Sequence, residues 1–158
     1  MPIGPEPKPA LLVSACLLGV RCNHQGEASP SADVVALGES YRLVPICPET
    51  VGGLPTPRPA AEIQPDGSVR TAAGVDVDDA YRRGAEAAVA LAAAVGATEA
   101  VLKARSPSCG CDEVYDGSFS RVRVVGRGVT AAALVAAGVA VRSEEHAASA
   151  AAAGSVDA

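Results

Sequence analysis

Apolar and polar positions along this chain fall into short apolar runs and one long helical stripe, separated by glycine and proline. Ala10 to Ala15 is a continuous apolar run ended by Cys16 and the Leu17-Leu18-Gly19 loop, the pattern of a buried strand. Arg42 to Cys47 reads as a second strand, although Pro45 removes a ladder donor and argues against a regular central position. Between residues 52 and 67, Gly52, Gly53, Pro55, Pro57, Pro59, Pro65 and Gly67 punctuate the chain so densely that a long loop without helix or strand is expected. Long ordered loops tend to be functional. The clearest helix starts near Asp76 or Asp78 and ends at Val95, with Ala80, Gly84, Ala87, Leu91 and Val95 on one face and Gly96 as the C-terminal cap. Glu99 to Ala104 is a third strand. Thr130 is placed to cap a helix over Ala131 to Ala137 that stops at Gly138, and Val139 to Arg142 makes a last short strand. Asp116-Gly117 is a hairpin turn signal. Strands alternating with helices predict a single α/β domain, with an open, mostly parallel, Rossmann-like three-layer sheet and ligands beyond the carboxyl ends of its strands. Residues 1–9 form a Pro-rich arm, 10–146 the domain, and 147–158 an Ala-rich tail that reads as a frayed helix or disordered end.

Composition narrows the functional classes. With 158 residues, 49% hydrophobic and 20% charged, the chain is too apolar for intrinsic disorder. Aromatic residues are only 3%, with no Trp and one Phe, so a stacking platform for single-stranded nucleic acid has little to be built from. The net charge of -5 also argues against nucleic acid, which is bound through clustered Lys and Arg. No run approaches the roughly 18 apolar residues of a spanning helix. Val13-Ser14-Ala15-Cys16 matches a lipoprotein cleavage pattern, but the segment before it has neither a basic nor a long apolar region. A cytoplasmic protein without a membrane partner is the expectation. In a reducing compartment five cysteines, an odd number, point to ligands, nucleophiles or core residues rather than disulfides.

The cysteines gain meaning from their places. Cys16 ends the first strand, Cys47 ends the second, and Cys109 lies in the loop after the third, so all three can converge at one sheet edge. Burying three thiolates together requires a neutralising metal centre. Three protein ligands leave one coordination position open, the arrangement of a catalytic site. Cys22 and Cys111 are auxiliary candidates. The plainer reading of any one of these cysteines is a small buried hydrophobe. Likewise Glu49 can cap a helix or face solvent, and Ser106 and Ser108 can simply shape the turn around Pro107. Competing classes are a zinc protein using Cys16, Cys22, His24 or the Cys109-Gly-Cys111 pair, and a non-catalytic metal-binding or redox-sensing module. The C-x5-C and C-x-C spacings do not match the usual zinc pairs.

The segments Val13-Ser-Ala-Cys-Leu-Leu-Gly-Val-Arg-Cys22, Pro45-Ile-Cys-Pro-Glu49 with Gly52-Gly-Leu-Pro-Thr-Pro-Arg58, and Lys103-Ala-Arg-Ser-Pro-Ser-Cys-Gly110 carry a resemblance. With Tyr115-Asp-Gly-Ser-Phe119 and Gly128-Val129-Thr130-Ala131, they resemble the bacterial DUF523 family, first catalogued as a domain of unknown function, which includes thiouracil desulfidase. The resemblance implies an enzyme with an oxygen-sensitive [4Fe-4S] cluster held by Cys16, Cys47 and Cys109, whose remaining iron takes the sulfur of a thiolated base or nucleoside. It further implies Glu49 as the acid/base carboxylate and Ser106 as a participating hydroxyl, with Cys111 outside the family pattern. Ser108, beside Cys109, is the expected substrate contact. The implied reaction is hydrolytic and non-redox: water replaces the sulfur of 2-thiouracil, giving uracil and sulfide.

Overall fold

The computed structural model describes Gly4 and residues 7–147; the expectation for the tail lies, beyond Ala147, outside the described residues. Elements follow in the order β1 (Ala10–Ser14), α1 (Ala32–Ala36), β2 (Arg42–Ile46), α2 (Pro48–Val51), β3 (Ala61–Ile63), β4 (Val69–Thr71), α3 (Asp78–Val95), β5 (Glu99–Leu102), β6 (Glu113–Tyr115), β7 (Arg123–Val125), α4 (Val129–Ala136) and β8 (Ala140–Ser143). The main sheet has the order β2-β1-β5-β8, and every pairing in it is parallel. β1 is buried along its whole length because both of its faces are covered. Leu11 and Val13 pack with Val34 of α1 and Val101, while Leu12 packs with Ala88 and Ala92 of α3 and with Ala131 and Leu134 of α4. This is the expected three-layer α/β architecture. Pro45 is accommodated because β2 is an edge strand. The chain winds outward in opposite directions from β1 and β5, so a crevice opens beyond their carboxyl ends.

Three local expectations are corrected and a fourth is refined. The segment 52–67 is not free of regular structure, because Ala61–Ile63 pairs antiparallel with Val69–Thr71. The prolines on either side bound this strand without entering it. The buried stripe of α3 is Ala80, Tyr81, Gly84, Ala85, Ala88 and Ala92, with Ala87, Leu91 and Val95 only half-buried. The helix is gripped by α2 and α4 as well as by the sheet, which turns its face by about one position. Thr130 does not cap α4: Gly128 holds that position, and Thr130 is fully buried with its hydroxyl 2.8 Å from the Ser108 hydroxyl. Asp116-Gly117 does open the connection between antiparallel β6 and β7, but as a loop over residues 116–122 rather than a two-residue turn.

Two glycines set how closely α2 approaches α3. A Cβ on Gly84 would lie 2.0 Å from the Pro48 carbonyl oxygen, and one on Gly52 would lie 2.0 Å from that of Ala80. Backbone therefore rests on backbone, and the segment bearing Cys47 and Glu49 is pressed against the helix bearing Tyr81. Among the described residues no helix is long and apolar enough to cross a membrane.

Candidate active site at the carboxyl edge of the sheet

Three of the four strands of the main sheet lead into a segment that brings a thiol to the crevice. β1 runs into a 3-10 turn over Ala15–Leu18 that carries Cys16, and β2 runs into Cys47, which stands just before α2. The loop after β5 is gripped by the first turn of α4: the amides of Thr130 and Ala131 donate to the Ser108 carbonyl, and that of Val129 to the Pro107 carbonyl. These otherwise orphaned helix amides hold Cys109 in place. Cys16, Cys22, Cys47 and Cys109 all line one cavity of about 720 Å3, together with Glu49, Arg58, Tyr81, Lys103 and Ser106. Cys111 is buried outside it, its thiol directed at the Cys109 carbonyl at 3.5 Å. The Cys-Gly-Cys pair is thus resolved: one sulfur faces the cavity and the other turns away.

The thiols are close enough to feel one another. Burial, with the charge of Cys47 adding to it and Lys103 opposing it, pushes the Cys16 thiol up to about 11. Cys22 is pushed up to about 12 by burial, by the charge of Cys47 and by a hydrogen bond with its side chain. Cys109 is raised by burial; a hydrogen bond with Ser14 works the other way, and the charges of Glu49, Cys16 and Cys47 add to the increase. Cys16, Cys22 and Cys109 hold their protons at neutral pH, so binding a metal centre there must release protons. Soft donors gathered round a space are a donor set that fits an iron–sulfur cluster. Among the described residues no three His, Cys, Asp or Glu side chains come together closely enough to hold a single metal ion.

Glu49 is held from both sides. Its Oε1 accepts the Tyr81 hydroxyl at 2.7 Å, and its Oε2 accepts Arg58 Nε at 2.9 Å and also Arg58 Nη2. Arg58 is only 8% exposed, and its Nη2 also donates to the Cys22 carbonyl at 2.9 Å. Burial works against the charge of Arg58, but the Glu49 carboxylate outweighs it and holds the guanidinium above its ordinary value. Burial and the same carboxylate push the Tyr81 phenol well up, so it remains a donor to Glu49. Glu49 therefore does not simply face solvent.

Ser106 lines the cavity, and its oxygen accepts the amides of Ser108 at 3.1 Å and Cys109 at 3.0 Å, leaving its own proton free to donate. Ser108 sits differently from Ser106. It is 1% exposed, lies outside the cavity lining, and its hydroxyl is 2.8 Å from that of Thr130, a contact that anchors the loop. His24 stands exposed at the cavity wall. The residues that sequence reasoning missed are Tyr81, hidden in an alanine-rich helix whose face was placed one position off, and the role of Arg58. The only signal for Arg58 is its place at the end of the Gly52–Arg58 segment.

An α/β protein whose topological switch point is lined by thiols and a clamped carboxylate presents a donor set suited to a metal cluster. The comparisons specify the family. The family model for 2-thiouracil desulfurase matches residues 11–146, and the chain belongs to this family. It is 39% identical over 145 residues to the uncharacterized protein YbbK of Bacillus subtilis (strain 168), covering 86% of this chain and 96% of that protein. Among solved structures it resembles the [4Fe-4S]-dependent thiouracil desulfidase TudS, with 43% identity and a TM-score of 0.86 over 94% of this chain and 99% of that one.

Proposed function

We propose that this chain holds a [4Fe-4S] cluster through Cys16, Cys47 and Cys109 and removes sulfur from a thiolated nucleobase such as 2-thiouracil by hydrolysis. The observation that supports the reading is that these three thiols and Glu49 line the same cavity. The cluster, when bound with one iron free of protein ligands, supplies a thiophilic Lewis acid that polarises the C=S bond.

The chain's own groups do the rest. Glu49, pinned by Arg58 and Tyr81, takes a proton from a water molecule. The water oxygen forms a bond to the thiocarbonyl carbon as the π electrons move onto sulfur. Glu49 then returns its proton to the departing sulfur as the C–S bond breaks, and the second proton of the water leaves the new carbonyl oxygen and passes to the hydrosulfide. The sum is thiocarbonyl plus water giving carbonyl plus hydrogen sulfide, with no net electron transfer. A well-placed base of this kind contributes about 10²–10⁴ in rate. The free proton of Ser106 is available to orient the water or the ring. Arg58 and Tyr81 fix both carboxylate oxygens, so the base needs little reorganisation.

Anaerobically reconstituted Glu49→Gln should keep its iron and visible absorption but lose sulfide release from 2-thiouracil by at least about 100-fold. Undiminished turnover would rule Glu49 out as the base.

A further inference from the structure

The chain has four aromatic residues, and Tyr81, Tyr115 and Phe119 line the same cavity. The same wall carries Arg105, Phe119 and Arg121, the three non-glycine residues with positive φ among the described residues, at 65°, 58° and 61°. A bulky side chain rarely adopts that conformation, and such residues cluster where a ligand is gripped.

What imposes it on Phe119 is visible. Glu62 on β3 accepts two amides of the 116–122 loop at one oxygen, Gly117 at 3.0 Å and Phe119 at 3.1 Å. Gln64 Nε2 donates to the Gly117 carbonyl at 3.3 Å, and the loop closes on itself through the Asp116 amide and the Val122 carbonyl at 2.9 Å. The loop lies directly on β3, since a Cβ at Gly117 would come within 2.7 Å of the Ile63 carbonyl oxygen. None of these bonds involves a thiol or Glu49. Despite this anchoring, Phe119 is only half-buried; it lines the cavity and belongs to none of the core clusters.

We propose that the β6–β7 loop is a ring clamp: Phe119 stacks on the face of a planar thiolated heterocycle, and Glu62 is the positioning residue that holds Phe119. The inference deepens the desulfidase reading and rests on it for the reactive group, while adding a basis for choosing cyclic, aromatic thiocarbonyls over open-chain thioamides. Stacking suits this task because every base presents a π-face. The cavity is of the size that small ligands occupy.

The test uses cluster-loaded protein and two readouts. One is the affinity for uracil, the unreactive product, by isothermal titration calorimetry. The other is kcat/KM for 2-thiouracil relative to thioacetamide. Phe119→Ala and Phe119→Leu should each weaken uracil binding by about tenfold and lower the 2-thiouracil preference by a similar factor, carried by KM, at unchanged iron content. Phe119→Tyr should keep both, and Glu62→Ala should follow Phe119→Ala. Leucine separates stacking from packing, because it refills apolar volume without a π-face. Loaded wild-type protein that does not bind uracil, or a Phe119→Leu variant that binds it as wild type does, overturns the clamp. Wild-type protein that binds uracil through Phe119 but releases no sulfide from either thio compound upholds the clamp and overturns the desulfidase reading.

Discussion

Gly84→Ala sets two physical terms against each other inside α3, and the structure says which should win. Gly84 sits within an 18-residue helix. On helix propensity alone, alanine there is better by about 0.8–1.0 kcal/mol. Against this, the new Cβ would stand 2.0 Å from the Pro48 carbonyl oxygen and 2.6 Å from its carbon. Even the tightest contacts proteins tolerate are near 3.0 Å, so α2 must withdraw by about 1 Å. Both partners are backbone, and no rotamer change relieves the clash. Overpacking of this kind costs about 1–3 kcal/mol, occasionally more. The overlap should win, leaving a net loss of about 1–2 kcal/mol, or roughly 3–6 °C in Tm for a domain of this size. Thermal unfolding of cluster-free protein followed by circular dichroism measures it. Ala90→Gly, at an exposed site on the same helix, gives the propensity term directly. Iron uptake should fall as well, because α2 directly follows Cys47. A higher Tm for Gly84→Ala would refute the backbone contact as the constraint on this position.

Cys16→Ser, Cys47→Ser and Cys109→Ser should each abolish iron binding after anaerobic reconstitution, whereas Cys111→Ser, whose sulfur turns away from the cavity, should keep it, as should Cys22→Ser. Iron and sulfide analysis decides, and full iron content in Cys47→Ser would remove that ligand. Arg58→Met deletes five hydrogen bonds and leaves a carboxylate only 13% exposed with Tyr81 as its remaining side-chain partner. Denaturant unfolding should show a loss of about 3–5 kcal/mol, partly recovered in the double variant with Glu49→Gln. A loss below about 1 kcal/mol would mean that the pair is not effectively buried.

Much of the layout is legible before any coordinates. β1 and α3 announce themselves because their burial follows strict local periodicity, and the strand ends place Cys16, Cys47 and the 103–110 loop at one edge once a parallel sheet is inferred. The surroundings of Glu49 are not legible. Tyr81 lies 32 residues away in sequence and meets Glu49 because Gly52 and Gly84 let α2 and α3 touch, while Arg58, nine residues on, is aimed by its bonds to Pro55, Thr56 and Cys22. Ser108 shows the same limit from the other side. Beside Cys109 in sequence, it is turned toward Thr130 by the grip of α4 on the loop, which no local pattern records.

The amino-acid order by itself determined the alternation of strands and helices, the parallel sheet and the three strand ends that carry thiols, because hydrophobic spacing and turn residues act over a few positions. Only the tertiary structure decided which sulfur of the Cys109-Gly-Cys111 pair faces the cavity, which side chains clamp Glu49, and that a strained phenylalanine stands over the same space. Those choices depend on contacts between segments distant along the chain, where orientation is set by packing and shared hydrogen bonds rather than by period.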